Sequence, residues 1–175
     1  MAILGFPNPV NEKAARVVAG LVLLVATVTI VLGVFAADAW YWLTAALFAG
    51  FVARVLTGPT LSPFGQLATR VIAPRLGEPR LVAGPPKRFA QAVGALFTGA
   101  GTVFVALGWY GATIVMLAAI MAAATLESVF GYCVGCKVFA VLMRFGWVPE
   151  ETCAACADIS ERIAATKEPS GTLAG

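Results

Sequence analysis

Two cysteine pairs hold most of the reactive chemistry this chain can offer: Cys133 and Cys136 in "GYCVGCKVF", and Cys153 and Cys156 in "CAAC". A Cys-x-x-Cys unit is the shortest that cycles between dithiol and disulfide, and its thiolate is the attacking form. Two such pairs with about 15–20 residues between them also match a four-cysteine zinc pattern. As a small apolar residue, cysteine beside Gly131 and Gly135 suits a close helix contact as well. Three readings follow. In a thiol–disulfide or sulfur relay, Cys133 and Cys136 are the redox pair, Lys137 and Arg144 favour the thiolate, and Cys153 and Cys156 resolve or relay. In a metal-binding or transport protein, Cys133, Cys136, Cys153 and Cys156 all ligate zinc or another soft ion. In a non-catalytic subunit of a membrane complex, the cysteines only pack. Whether the chain is an enzyme stays open. The absence of histidine excludes hydrolase triads, histidine-containing catalytic zinc sites and histidine-held haem.

The elements that must position these thiols are set by hydropathy. The chain has 175 residues, of which 60% are hydrophobic and only 12% charged, with a mean hydropathy of +0.89. One water-exposed domain of this length has no core large enough for so much apolar surface, so the bilayer is the solvent. Four runs reach the roughly 20 residues a spanning helix needs: about 15–37, 39–56, 89–108 and 111–131. Helix is the form that satisfies its own backbone in lipid. The first run exceeds the roughly 7–15 apolar residues of a signal peptide, so an uncleaved helix is expected. The fold class is therefore all-α, a four-helix transmembrane bundle.

Charge orients it. Lys13 and Arg16 open the first run and Arg54 closes the second; five basic residues lie in the loop 57–88, and the remaining four follow the fourth run. The two opposite turns carry only Asp38, with Trp40, Tyr41, Trp42, Trp109 and Tyr110 clustered there as interface anchors. The positive-inside rule places both termini in the cytoplasm and the bundle in the plasma membrane. Within the loop, Ser62 and Pro63 read as a helix start. Phe64, Leu67, Ala68, Val71 and Ile72 form an apolar stripe that Pro74 ends, which predicts an amphipathic helix on the inner leaflet. Arg75, Arg80, Lys87 and Arg88 read first as topology-setting charge with no specific ligand; contact with anionic headgroups is the second reading.

The organisation expected is a membrane domain over 1–131, a cytoplasmic helical tail over 132–166 with both cysteine pairs, and a free end over 167–175. A helix unbroken from Gly111 to Phe145 would run about 51 Å, longer than a bilayer is thick, so a bend is expected near Gly131 or Gly135. Beyond it Cys133, Cys136, Lys137, Ala140 and Arg144 share one helix face, and a second helix opens at Pro149. Glu127 is the one carboxylate within a spanning run, a position that is functional by default; reaching water or pairing with Arg54 are its two expected outcomes. Basic residues without interleaved aromatics exclude nucleic-acid recognition.

Taken together, "SPFGQLATRVIAPRLGEP", "PPKRFAQAVG" and "FGYCVGCKVFAVLMRFGWVPEE" resemble the small bacterial membrane family catalogued as domain of unknown function 4395. The resemblance implies a multi-pass membrane protein with Cys133 and Cys136 at the family's cysteine motif. It also implies soluble partners of the thioredoxin-like or rhodanese-like kind, beside the lipid bilayer and a homo-oligomer or larger complex. The second pair is a feature of part of the family only.

Overall fold

The structure, a computed structural model, describes residues 8–146. It is all-α apart from one two-residue strand pair, and four of its helices are long and apolar enough to cross a membrane. The chain is a membrane protein. The long helices are α1 (Glu12–Phe35), α2 (Leu43–Thr57, entered through a 3-10 turn at Asp38–Trp42), α4 (Gly84–Ala106) and α5 (Tyr110–Phe130). Their outward faces carry exposed Leu24, Phe35, Leu96 and Val115, which hydrocarbon solvates at no cost. Their inward faces are small. Ala14, Ala19 and Ala26 of α1 are buried, and so are Thr29, Thr98 and Thr113. These threonines satisfy their hydroxyls on backbone carbonyls of Val25, Gly94 and Gly101. Small residues let backbones approach where no hydrophobic force drives helices together.

The basic and aromatic residues segregate to opposite ends, as their sequence positions imply. At the aromatic end Tyr41 is buried, its ring on Gly33 and stacked with Tyr110 at a centroid distance of 5.2 Å. At the basic end the connection between α2 and α4 is tied down rather than loose. β1 (Val10–Asn11) pairs antiparallel with β2 (Leu81–Val82), and the Glu12 amide donates to the Arg80 carbonyl at 2.7 Å. The Arg80 guanidinium meets Glu12 at 2.9 Å, and the Gly84 amide donates to Asn8 Oδ1 at 2.9 Å. This clip fastens the start of α1 to the start of α4.

Two local features depart from the expected elements. Ser62 does cap a helix, accepting from the Gly65 amide at 3.3 Å with Pro63 in the first turn, but α3 (Pro63–Gln66) is short. A widened π turn over Leu67–Ile72 and a 3-10 turn over Ala73–Leu76 follow it. The wider turn shifts the phase of the side chains. Ala68 and Ala73 are buried against the bundle, while Leu67 and Val71 of the expected stripe stay exposed. The second departure is the start of α4, more than a turn ahead of the apolar run at Phe89. Pro85 and Pro86 occupy its first turn, where a missing N–H is no loss and the fixed φ is already helical. Lys87 is thereby built into the helix instead of lying in a loop.

The bend falls at Gly131. Its φ of +68° is left-handed, the conformation glycine adopts without strain, and the Tyr132 amide closes back on the Leu126 carbonyl at 3.0 Å. Arg16 of α1 completes this end by donating to the Ser128 and Val129 carbonyls, the latter at 2.8 Å. The chain then enters α6 (Val134–Arg144), which crosses the start of α4. Gly135 lies so close to Ala90 that a Cβ there would sit 2.6 Å from the alanine Cβ. Phe139 is buried beside Phe89, ring centroids 5.5 Å apart.

Candidate thiol site

Cys133 is the N-cap of α6, extended in backbone, and its Sγ accepts from the Cys136 amide at 3.3 Å. The sequence reading put both cysteines inside one helix; the Gly131 turn instead leaves Cys133 just outside it. Capping brings the two Cα atoms to 5.2 Å, within the span a disulfide bridges, and the sulfurs are joined. The pair is asymmetric. Cys133 is 8% exposed and faces the bundle, whereas Cys136 is half-buried. When reduced, Cys133 sulfur sits where the helix N-terminus presents an amide and positive dipole, which favours a thiolate.

The other residues singled out from sequence are distributed differently. Lys137 is exposed and its Nζ lies 5.6 Å from the centroid of the Tyr132 ring. Arg144 is exposed in the last turn of α6, where its charge suits the helix C-terminus. Cys153 and Cys156 lie outside the described residues, as does the helix expected from Pro149. Among the described residues no group of three metal-ligating side chains converges.

Beneath the pair, inside the bundle, lies a charged cluster. Glu127 of α5 does not pair with Arg54: Lys87 Nζ of α4 meets its Oε1 at 2.5 Å, with the two side chains 9% and 19% exposed. Lys87 was expected in the connection ahead of the third spanning run, as topology-setting charge. Its place in the first turn of α4 turns it inward instead, and the pairing offsets the cost of burying either charge. Arg54, 3% exposed, rests on the face of Phe51 with Cζ 4.4 Å from the ring centroid. Its Nε and both Nη atoms have no hydrogen-bond partner among the described residues, though Glu127 is within electrostatic reach. Lys87 alone contacts the carboxylate, so Arg54 adds a buried positive charge that no described carboxylate contacts.

Between α1, α4 and α5 lies a partly open cavity of about 270 Å³, bordered at the basic end by the start of α6. Val18, Val22, Phe97 and Ile120 make its apolar wall, and its polar end is formed by Gln91, Glu127 and Cys133. The Gln91 Oε1 is buried and has no hydrogen-bond partner among the described residues. Glu127 was legible in sequence as an intramembrane carboxylate. Gln91 was not singled out, yet a signal existed: Lys87, Gln91 and Gly94 recur at helical spacing on one face of α4. Gly94 meets the Phe51 ring there, which joins the cavity wall to the ring that carries Arg54.

No curated protein and no solved structure matches the chain. One family model does, over residues 10–144, a stretch that includes Cys133 and Cys136 and ends before the second pair. The chain belongs to the family described as Domain of unknown function (DUF4395).

Proposed function

We propose that this membrane protein carries out thiol–disulfide exchange with a soluble protein through Cys133 and Cys136. The observation that carries the reading is the asymmetric pair at the α6 N-terminus: a shielded Cys133 that caps the helix and a more accessible Cys136. A partner thiolate attacks Cys136 Sγ, forming a mixed disulfide and expelling Cys133 as a thiolate. A leaving sulfur of lowered pKa departs faster, which is what the helix N-terminus provides. The partner's second thiolate then attacks its own bridged sulfur and releases Cys136. The disulfide is reduced to two thiols and the partner is oxidised by the same two electrons. Lys137 and Arg144 add positive charge on the same short helix. By the positive-inside rule this exchange takes place on the cytoplasmic side of the plasma membrane, with a thioredoxin-like or rhodanese-like protein as partner.

The reading is tested on full-length protein in detergent micelles, with Cys153 and Cys156 replaced by alanine so that one pair reports. Titration against dithiothreitol buffers, read by alkylation and intact mass, is expected to give one reversible two-electron transition, about 30 mV per tenfold change in ratio. Cys133→Ser abolishes it. Thiols that never form an intramolecular bridge, or that stay shielded by bound zinc in the four-cysteine parent, would overturn the reading.

A further inference from the structure

A disulfide that serves a soluble partner must be regenerated, and the structure points inward for the means. We propose that the cavity beneath Cys133 binds the head of a lipid-soluble quinone, which takes two electrons from the reduced Cys133–Cys136 pair. This rests on the exchange reading above and names its second substrate.

Four observations converge. Cys133 lines the cavity while Cys136 does not, so the two sulfurs open onto two different solvents, the apolar bundle interior and the basic end. The volume, about 270 Å³, is at the lower limit of small-molecule sites and suits a compact ring rather than a bulky ligand. The polar groups gather at the thiol end alone. Gln91, whose buried amide oxygen lacks a partner, can flip to offer its N–H₂ to a carbonyl, and the Lys87–Glu127 pair stands beside it. An acyl chain would use none of these groups; a ring with a hydrogen-bonding carbonyl uses them all. Finally, the excess positive charge from Arg54, next to the cavity-lining Phe51, complements the negative charge that grows on a quinone oxygen during reduction.

The step balances without another reactant. Two cysteine thiols lose two electrons and two protons as the S–S bond forms. The quinone gains both electrons and both protons, and its two C=O groups become C–OH. Coupled to the soluble exchange, electrons pass from a partner dithiol to the membrane quinol pool.

The test uses full-length protein in nanodiscs, reduced with dithiothreitol, desalted without oxygen, and mixed with a fully substituted short-chain ubiquinone, which has no ring position open to thiol addition. The absorbance change is expected to report one quinone reduced per Cys133–Cys136 disulfide formed. Ala123→Trp, which fills the cavity from α5, is expected to slow the reaction at least about tenfold. Gln91→Leu is expected to raise the quinone concentration needed for half-maximal rate by about tenfold, the worth of one buried hydrogen bond. Both variants are also mixed with oxidised dithiothreitol, whose exchange with the pair reports correct folding. Quinone reduction unchanged in both variants, or no quinone reduction by a pair that still exchanges with oxidised dithiothreitol, overturns this inference and leaves the exchange reading standing. A pair that reacts with neither oxidant brings down both.

Discussion

The two ends of the bundle solve the same problem, turning a chain back on itself at a membrane face, with opposite materials. At the aromatic end the turns are short and the contacts are flat rings on small residues: Tyr41 against Gly33, Tyr41 on Tyr110, Phe104 beside Trp109 at 6.0 Å. Nothing ionisable is buried there except the phenol of Tyr41. At the basic end Lys87, Glu127 and Arg54 are taken out of water, Gln91 keeps an unpartnered oxygen, and a cavity is left open beside a cysteine. Ring packing would have closed this end more cheaply. The difference separates a region built for stability from one that gives up stability to hold charge near a thiol.

The sharpest way to break the comparison is to remove the Glu127 carboxylate. Glu127→Ala leaves Lys87 and Arg54 buried without an anion, and is expected to cost about 3–5 kcal/mol, read as the midpoint of unfolding in mixed detergent micelles. A loss under about 1 kcal/mol would mean the charges reach water and the two ends are alike. Next in size is the seat of α6. Gly135→Val drives a side chain into Ala90, so a loss of about 1–3 kcal/mol is expected, together with faster alkylation of reduced Cys133 as α6 lifts from α4. Unaltered alkylation would show that α6 does not shield the thiol. The smallest effect belongs to the other end. Tyr110→Leu removes one ring from the stack and should cost about 0.5–1.5 kcal/mol while the dithiothreitol midpoint of the Cys133–Cys136 pair stays within error. A shifted midpoint would couple the ends and dissolve the distinction.

How far the sequence reached follows the same division. Hydropathy located the four helices, since lipid reads composition over some twenty residues and tolerates error at the boundaries. The segregation of Lys and Arg from Trp and Tyr marked the two ends, and Gly131 and Gly135 were the two positions offered for the bend. What escaped depends on turns of the backbone that shift a side chain by a fraction of a helical turn. Pro85 and Pro86 look like loop residues, so Lys87 was assigned to the loop when it is one turn inside α4. The π turn after Gln66 has no sequence signature, and it separates Ala68 from Leu67 and Val71. Cys133 and Cys136 were legible as a Cys-x-x-Cys pair. Their geometry as cap and first-turn residue needed the exact end of α5. The cavity was beyond reach because an empty space is a property of four helices packed together, and none of its wall residues differs in kind from its neighbours.

The clip between β1 and β2 sets an order of events in time. The Gly84 amide and its acceptor on Asn8 are 76 residues apart in the chain. At a synthesis rate of about 5–20 residues per second, α1 waits on the order of 4–15 s before the ribosome supplies its fastening. During that interval it must keep its place unaided, and α1 is the most apolar of the four spans. The most apolar helix is thus the one that anchors the nascent chain until the fastening is supplied.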